Sequence, residues 1–327
     1  MKTIRWGIMG TGGIARKFAE GLKMLPDAQL VSVGSRTKSA ADAFGDTWKI
    51  PRRYASYKEL AADPETDVIY IATIHPLHYE NCLDCLRAGK AVLCEKPFTI
   101  NAAQAGEVIE LARQKKIFLM EAMWTRYFPV FDKLRELIAQ DALGEIRMVE
   151  ADFAFRHSVY DPKSRFFDRT LGGGALMDIG IYPVSLASMV FGEFPRRILS
   201  SAVIGRTGVD EQAAVILDYS GERQASITFS FRYDSQQEAH IIGSNGRIRI
   251  HRPWWYPSTL TFTHAGKDEV FTLPYLGNGY PHEAAEVMEC LRAGRTESQR
   301  MPLDETLRIM RTLDAIRSEW GLSYPGD

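Results

Sequence analysis

The chain has 327 residues, a length typical of two domains. Its 40 basic and 41 acidic residues give a formal net charge of −1, too small a field to recruit nucleic acid or an anionic membrane by electrostatics alone. Hydrophobic residues make up 45% and charged residues 25%, as in folded soluble proteins, which excludes a disordered chain. We therefore expect a folded protein whose partners are small molecules.

The N-terminus and the cysteines indicate where such a chain works. MKTIRWGIMG becomes strand-like within a few residues, and no run of about eighteen apolar residues follows, so we expect no signal peptide, no membrane span and a cytoplasmic location. Cys82 and Cys85 form a CxxC, but the segment around them is helix-like and offers no second pair of ligands. Buried helix thiols are favoured over a redox or zinc motif, and no metal is expected.

Residues 3 to about 118 alternate between short apolar segments and segments with helical periodicity. The strand-like segments are IRWGIM, QLVSVGS, DVIYIAT and AVLCE. The helix-like segments are GIARKFAEGLKML, SAADAFGD, HYENCLDCLRAG and NAAQAGEVIELARQK. This alternation predicts right-handed crossovers and an open α/β fold with a parallel sheet, in a domain of residues 1–120.

The first strand-to-helix turn has the spacing of a dinucleotide-binding motif. It reads GTGGIA, with candidate cofactor contacts at Gly10, Gly12, Gly13 and Ile14. In such turns the first glycine makes the tight turn, the second admits a pyrophosphate, and a small third residue lets the helix pack on the strand. The position near the N-terminus, between a strand and a helix, favours nucleotide binding over a merely structural turn and predicts a Rossmann domain.

The end of the second strand indicates which nucleotide binds. NAD enzymes usually carry an acidic residue there, whereas this chain has Ser35 and Arg36, with no acid until Asp42. A hydroxyl and a guanidinium suit a 2′-phosphate. We therefore expect NADP, with NAD possible as the alternative if Arg36 is an ordinary solvated residue.

After Phe118 the alternation stops, and a second domain of residues 121–327 is predicted. Its strand-like segments are EIRMVEADFAFRH, RRILSSAVIG, AAVILDYS, QASITFSFRYD, AHIIGSN, GRIRIHR and STLTFTH. Turn pairs such as Ser220-Gly221 and Asn245-Gly246 indicate a largely antiparallel, open sheet. The helix-like segments LRELIAQ, HEAAEVMECLRAG and 303–320 complete an α+β domain.

Two short segments carry candidate chemistry. VLCEKPF, residues 92–98, places Glu95 and Lys96 directly after a buried strand. LGGGALMDIGIYPV, residues 171–184, is a glycine-rich turn that leads into a helix, on which Asp178 and Tyr182 are four residues apart and share one face. Without further information, a packing role explains Tyr182 equally well, since its amphipathic ring would cover the helix surface.

In combination, GTGGIA, HPLHYENCLDCLRAGKAVLCEKP and GGGALMDIGIYPV resemble the Gfo/Idh/MocA oxidoreductases over nearly the whole chain. FLMEAMWTRYFP and GGGALMDIGIYPVSLASMVFG are most similar to the branch of dimeric dihydrodiol dehydrogenases and NADP-linked D-xylose dehydrogenases. The wider family commonly has histidine at the place of Tyr182, and this branch has tyrosine.

The resemblance implies roles for the two segments. Lys96 would point at the nicotinamide and the substrate, Glu95 would flank the same crevice, and the peptide bond before Pro97 would be cis. A tyrosine acts as a general acid or base only when its pKa falls from about 10 toward neutrality, which a neighbouring ammonium promotes. Lys96, Tyr182 and Asp178 are therefore the predicted catalytic residues.

Other candidates border the predicted crevice. Thr73 and His75 follow the third parallel strand and are candidate cofactor contacts, while His78 in the same loop is equally explained as a helix-start cap. The candidate substrate contacts are Trp124, Arg126, Tyr127 and Arg165. Trp254 and Trp255 are better explained by packing than by sugar binding.

These observations predict an enzyme that transfers a hydride between NADP(H) and a secondary hydroxyl or carbonyl of a cyclic polyol. The substrate would be a pyranose sugar, such as xylose or glucose, or a trans-dihydrodiol. An inositol or anhydrosugar oxidoreductase of the same family is an alternative, since it would share every motif. A non-enzymatic NADP(H)-binding sensor is another, although it would not need Lys96 and Tyr182 together. The resemblance also implies a homodimer through the second domain's sheet.

Overall fold

The computed structural model describes residues 2–327. They form two compact units. The first comprises the residues up to Trp124 together with Leu276–Thr306, and the second comprises Thr125–Tyr275 and Leu307–Asp327.

The N-terminal part of the chain alternates strands with helices, as predicted. The elements are β1 Ile4–Met9, α1 Gly13–Leu22, β2 Ala28–Gly34, α2 Lys38–Trp48, β3 Arg52–Tyr54, α3 Tyr57–Ala61, β4 Val68–Ile71, α4 His78–Arg87, β5 Ala91–Glu95, α5 Ala102–Lys115 and β6 Leu119–Ala122. The three short elements β3, α3 and β6 were not predicted from the sequence, since three to five residues are too few for a clear periodicity.

The remaining elements follow in chain order. They are α6 Pro129–Ala139, β7 Ile146–Ala154, α7 Ile181–Phe191, β8 Arg197–Ile204, β9 Asp210–Asp218, β10 Gln224–Ser230, β11 Ala239–Gly243, β12 Gly246–Ile250, β13 Thr259–His264, β14 Lys267–Thr272, α8 Tyr280–Arg292 and α9 Leu303–Glu319. A single π-helical turn, Leu176–Gly180, directly precedes α7.

The first unit contains a six-stranded parallel sheet in the order β3-β2-β1-β4-β5-β6. Its central strands are apolar on both faces, and Ile8, Ile69 and Leu93 are fully buried. The chain runs outward from β1 in both directions, so the gap between β1 and β4 is a topological switch point, where open α/β sheets bind ligands at the carboxyl ends of their strands. The predicted α/β fold is confirmed.

The predicted boundary near residue 120 can be compared with the compact units. The sequence assigns everything after residue 120 to the second domain, whereas Leu276–Thr306 belongs to the first unit. Helix α8 lies against α1 there, and a β-carbon on Gly21 would come within 2.9 Å of Tyr280. Close helix contact of this kind depends on tertiary packing, which a change in periodicity along the chain does not reveal.

The second unit contains an eight-stranded sheet in the order β14-β13-β12-β11-β7-β10-β9-β8. All neighbours are antiparallel except β7 and β10, which run parallel. The predicted, largely antiparallel sheet is therefore confirmed, and only its edge strand β14 was missed, because KDEVFT has few apolar residues.

Helix α7 packs on this sheet and is buried on nearly all sides. The stretch Arg169–Phe191, which includes it, is long and apolar enough to cross a membrane by composition, but 89% of its most apolar window is buried inside the protein. Phe229 of the sheet lies so close that a β-carbon on Gly180 would approach its ring to 2.9 Å. These are the contacts of a core helix.

Candidate active site

The glycine turn after β1 has a geometry that only glycine allows at its first position. Gly10 has φ +102°, a conformation that side chains rarely adopt. A β-carbon there would also lie 2.7 Å from the carbonyl oxygen of Ala72, which follows β4. The turn therefore brings the backbone into direct contact with the neighbouring strand exit at the switch point.

The next two glycines border open space. A β-carbon on Gly12 or Gly13 would have no atom of residues 2–327 within 4 Å apart from the adjoining backbone. Gly12 is the N-cap of α1, and no side chain in the described chain caps that end. Helix N–H groups that lack a capping side chain favour an anion, so the geometry of the turn is compatible with the predicted pyrophosphate contact. Ile14 lies in the first turn of the helix.

At the exit of β2, Ser35 and Arg36 differ in their surroundings. Ser35 is buried, and its hydroxyl lies 3.4 Å from that of Thr11 in the glycine turn. Arg36 is exposed, and its guanidinium makes no hydrogen bond or ion pair with residues 2–327. A cation that is held at this strand end without an acidic partner suits the 2′-phosphate of NADP better than a ribose hydroxyl.

The loop after β4 is tied to the loop after β5 by His78. This histidine is fully buried, and its ring nitrogens lie 2.9 Å from the Pro97 carbonyl and 3.1 Å from the Thr73 carbonyl. Burial lowers its pKa, so the neutral ring donates to one of the two carbonyls. The Thr73 hydroxyl also accepts from Asn81, 2.9 Å away. His78 thus positions the loops rather than simply capping a helix, and His75 lies beside it with ring centroids 5.8 Å apart.

The exit of β5 holds Glu95 and Lys96. The Glu95 carboxylate accepts a short hydrogen bond from the Tyr70 hydroxyl and another, of 3.2 Å, from the backbone N–H of Lys96. The peptide bond between Lys96 and Pro97 is cis, as the resemblance implied. Glu95 therefore fixes the backbone from which the lysine side chain projects.

A second carboxylate lies behind Glu95 in the same unit. Glu283, in the first turn of α8, is fully buried, and neither carboxylate oxygen has a hydrogen-bond partner among residues 2–327. Burial and the charge of Glu95 both raise the pKa of Glu283 well above its ordinary value. Glu283 therefore keeps its proton to a higher pH than an ordinary glutamate does.

In the second unit, Asp178 and Tyr182 lie on the π-helical turn and the first turn of α7. Asp178 accepts from Arg165, with 3.0 Å between Oδ1 and the guanidinium nitrogen, which joins one predicted catalytic residue to one predicted substrate contact. The Tyr182 ring is nearly buried and lies 5.4 Å from the ring of Phe153 on β7. The ion pair with Arg165 fixes the orientation of the Asp178 carboxylate.

The turn that carries Asp178 is held by a residue that the sequence analysis missed. Asp210, the first residue of β9, is fully buried and accepts from the backbone N–H of Leu176 at 2.6 Å. Burial raises the pKa of Asp210 to about 7, against the opposing effect of the backbone N–H groups that it accepts. Gly174 has φ +123°, and a β-carbon there would lie 2.5 Å from Asp210 Oδ1. An acidic residue that opens a strand gives no local sequence signal for this contact.

The other predicted substrate contacts are more enclosed. Arg126 is 2% exposed, and its guanidinium donates to the hydroxyl and carbonyl of Ser185 on α7. Tyr127 is 1% exposed. This burial favours a role in positioning α7 over direct contact with substrate. Trp124, in the first unit, stacks on Tyr280 with ring centroids 4.7 Å apart.

Several residues have packing roles, as the sequence indicated. Trp254 is fully buried and donates from its indole N–H to the Asp152 carbonyl, and Trp255 stacks on Phe153 with centroids 3.6 Å apart. Cys82 and Cys85 are fully buried free thiols. Burial raises the pKa of Cys85 well above its ordinary value, so the CxxC motif contains no reactive thiolate at Cys85.

The geometry agrees with comparisons to known protein families. Residues 4–123 match the sequence model of the GFO/IDH/MocA oxidoreductase family with an NAD-binding Rossmann fold, and residues 131–249 match the family's C-terminal domain. The chain belongs to the Gfo/Idh/MocA family. It is therefore an oxidoreductase, and its first unit contains the family's NAD-binding Rossmann domain.

Similar members of the Gfo/Idh/MocA family include animal enzymes. The chain is 40% identical to trans-1,2-dihydrobenzene-1,2-diol dehydrogenase from Homo sapiens, over 99% of both chains. It is 39% identical to the enzyme of the same name from Xenopus tropicalis, over 98% of this chain and 99% of that one. These matches run through both units, so no large part of the chain lacks a counterpart.

Solved structures support the same fold. An aldose-aldose oxidoreductase from Caulobacter crescentus superimposes with a TM-score of 0.88 at 24% identity and covers 97% of both chains. A 3-ketoreductase from Actinomadura kijaniata, crystallised with NADP and TDP-benzene, gives a TM-score of 0.86 at 24% identity, over 97% of this chain and 98% of that one. The fold of this chain is thus shared with these two solved oxidoreductases.

Proposed function

We propose that the protein is an NADP(H)-dependent dehydrogenase or reductase that acts on a secondary hydroxyl or carbonyl of a cyclic polyol, either a pyranose sugar or a trans-dihydrodiol. The full-length similarity to trans-dihydrodiol dehydrogenases supports the substrate class. The observation that carries the proposal lies in the first unit. There the glycine turn, the Thr73 loop and Lys96 all follow strands of one parallel sheet, at the edge where such sheets bind ligands.

The residues of the first unit would bind the cofactor. The backbone N–H groups at Gly12 and Gly13 would hold the pyrophosphate, and Arg36 would contact the 2′-phosphate with Ser35 beside it. When bound, the nicotinamide supplies the redox chemistry, because it exchanges a hydride with the substrate carbon. The proposal favours NADP over NAD because Arg36 has no acidic partner at the strand end.

The proton chemistry is assigned to Tyr182 and Lys96. In oxidation, the Tyr182 phenolate takes the proton of the substrate hydroxyl while the carbon–oxygen double bond forms, and in reduction the phenol returns it. The positive charge of Lys96 would favour the phenolate, and Asp178, held by Arg165, would orient the substrate hydroxyl. The joint action of Lys96 and Tyr182 follows from the family resemblance and stays a prediction.

The cofactor and the substrate class can be tested in one assay. Reduction of NADP and of NAD would be followed at the nicotinamide absorbance with xylose, glucose, inositols and a trans-dihydrodiol. Turnover with NADP on a sugar or dihydrodiol, and weaker turnover with NAD, is the expected result. Turnover confined to inositols would favour the inositol alternative. NADP binding without turnover on any polyol would contradict the proposal and favour a sensor.

We also propose that the protein forms a homodimer through the sheet of the second unit. Leu199, Val203 and Ile204 on the edge strand β8 and Val270 on β14 are 41–60% exposed, which is unusual for aliphatic side chains on one sheet. Light scattering would be expected to give a mass of about twice 36.9 kDa. A monomer that stays at 36.9 kDa at working concentration would exclude the dimer.

A further inference from the structure

The second unit contains a cavity that the proposed chemistry does not use. Its volume is about 180 Å³. The lining side chains are Arg156, His157, Tyr160, Phe167, Glu211, Phe231 and Arg232. Clefts that enclose whole drug-sized ligands measure about 300–1,000 Å³, so this cavity has room for one ring rather than for a larger molecule.

A row of aromatic rings connects Tyr182 to this cavity. Phe153, Phe155 and His157 alternate along β7 and its extension, where the backbone N–H groups of residues 155 and 157 still donate to the neighbouring strand, so the three side chains share one face. The centroid distances are 5.4 Å from Tyr182 to Phe153, 6.2 Å from Phe153 to Phe155 and 4.9 Å from Phe155 to His157.

A second chain of contacts connects Asp178 to the same cavity. Asp178 pairs with Arg165, whose guanidinium lies 4.0 Å from the centre of the Phe166 ring. That ring is 4.2 Å from His157, which lines the cavity. Two side chains lie between Asp178 and His157 along this route, and two lie between Tyr182 and His157 along the other. A substrate bound at Asp178 and Tyr182 could extend into the cavity.

The polar groups of the cavity combine donors with an acceptor. Glu211 is 8% exposed and lies 3.6 Å from the guanidinium of Arg232. Arg156 is exposed, and its guanidinium makes no ion pair within the described chain. The Nε2 atom of His157 is buried and has no hydrogen-bond partner among residues 2–327. Partial burial and the charge of Arg165 lower the pKa of His157, against the effect of Asp178, so its ring is neutral at pH 7.

This combination matches a hydroxylated ring. Hydroxyl groups both donate and accept, so they can satisfy the Glu211 carboxylate, the guanidinium groups and the neutral His157 ring at once. Phe167 and Phe231 offer apolar surfaces to the C–H groups of such a ring. A phosphate or carboxylate would meet the nearly buried charge of Glu211, and an apolar ring would offer no partner to the carboxylate and guanidinium groups of the lining.

We propose that the cavity is a substrate subsite for a second hydroxylated ring, so that the enzyme acts on a disaccharide or another glycoside in preference to a free monosaccharide. This inference rests on the proposed polyol oxidoreductase function. It adds the cavity to the binding site and assigns specificity to His157, Arg156 and Glu211.

The test compares substrates that share the ring to be oxidised. With the full chain and NADP, kcat/KM would be measured for xylose against xylobiose and for glucose against cellobiose. The variants are His157→Ala and Arg156→Ala. Lys163→Ala is the matched control, because it removes an exposed charge from the same loop without changing the cavity lining.

We expect kcat/KM to be at least about ten-fold higher for a disaccharide than for its monosaccharide, mainly through KM, since a hydrogen bond to a charged group contributes about that factor. Each cavity variant should lower the disaccharide value about ten-fold more than the monosaccharide value, while Lys163→Ala leaves their ratio unchanged. Turnover of a monosaccharide or dihydrodiol with no gain for any disaccharide, or equal losses on both substrates, would overturn the inference. Absence of turnover on every polyol would overturn the proposed function as well.

Discussion

The two compact units build their functional groups in different ways. In the first unit, Gly10, Thr73 and Lys96 each follow a parallel strand, so the backbone of the sheet determines where they lie. In the second unit, Asp178 is surrounded by residues distant in sequence, because Arg165 pairs with it and Asp210 holds its helical turn. The proposed cofactor side therefore depends on backbone shape, and the proposed substrate side depends on side-chain contacts between residues far apart in sequence. The two sides should respond to different kinds of substitution.

The largest expected effect tests the substrate side. Tyr182→Phe removes the proposed proton acceptor but keeps the ring that packs on Phe153. We expect kcat to fall about a thousand-fold, within the range for loss of a general acid or base, while the melting temperature and the NADP affinity change little. Steady-state kinetics and a cofactor titration measure this split.

Tyr79→Phe is the matched control, because that partly exposed tyrosine donates to Glu107 on the surface of the first unit. It should keep wild-type kcat. If Tyr182→Phe also kept wild-type kcat, the assignment of the proton chemistry to the second unit would be wrong.

The next effect concerns the buried carboxyl of Asp210, which holds the helical turn that carries Asp178. The pKa of Asp210 is about 7 in the folded chain, against an ordinary value of 3.8. Between about pH 4 and pH 7 the folded chain keeps a proton that the unfolded chain has lost, so this group lowers the free energy of unfolding as pH rises through that window. Above pH 7 the free energy of unfolding is lower by on the order of 4 kcal/mol than it would be if Asp210 had its ordinary pKa.

The free energy of unfolding of Asp210→Asn should therefore equal that of the wild type near pH 4. Near pH 8 it should exceed the wild-type value, because the amide cannot ionise. Denaturant unfolding at the two pH values measures the difference. Asp141→Asn, on an exposed loop, is the control and should follow the wild type at both. The free energies of unfolding of Asp210→Asn and the wild type could instead differ by the same amount at about pH 4 and pH 8. That result would mean that the carboxyl of Asp210 is already ionised at the lower pH.

A pair of glycine substitutions tests the cofactor side. Gly10→Ala combines φ +102° with a 2.7 Å approach to the Ala72 carbonyl, so it should destabilise the chain by about 2 kcal/mol. Gly12→Ala has open space around the new methyl group, so it should keep the stability and weaken NADP binding, because the methyl group occupies the place proposed for the pyrophosphate.

Gly106→Ala, in the middle of α5, is the control for both measurements, since a β-carbon there meets no atom within 4 Å of the described chain. Thermal melts and fluorescence titrations with NADP distinguish the three variants. Normal NADP affinity in Gly12→Ala would show that the glycine turn does not hold the cofactor.

The smallest effect concerns the choice between cofactors. Arg36→Ala should raise the Kd for NADP about ten-fold and leave that for NAD nearly unchanged, because only NADP carries the 2′-phosphate. Arg87→Ala, which removes an exposed arginine from the end of α4, should change neither. If Arg36→Ala raised the Kd for NADP and for NAD by the same factor, Arg36 would contact a group that the two cofactors share.

Much of the first unit could be predicted because its signals are local. The strand and helix periods, the glycine turn and the Glu95-Lys96 strand end are each contained in one short segment, and the structure places them as expected. His78 was interpreted as a possible helix-start cap, since nothing in the adjacent sequence shows that its ring reaches the Pro97 carbonyl 19 residues away. Glu283 was missed for the same reason, because its relation to Glu95 depends on how α8 packs.

The second unit was predictable in class but not in detail. The alternating segments gave a largely antiparallel sheet, yet the parallel pairing of β7 with β10 joins strands that are far apart along the chain. Arg126 was a candidate substrate contact because it lies beside Trp124 and Tyr127 in sequence, but its guanidinium is buried against Ser185. The partner that encloses a polar side chain belongs to tertiary structure, so a single sequence does not reveal it.

The central proposal, which follows from the family resemblance, is that Lys96 of the first unit and Tyr182 of the second act in one reaction. The most direct measurement is the pH dependence of kcat/KM for oxidation, in the wild type and in Lys96→Met, with Lys115→Met as the exposed-lysine control. In the wild type, kcat/KM should rise with pH as Tyr182 loses its proton. Loss of the ammonium should move the pKa of that rise upward by about one unit or more, and Lys115→Met should leave it in place. A rise at the same pKa in Lys96→Met would contradict the account, since Lys96 would then have no influence on the proton acceptor.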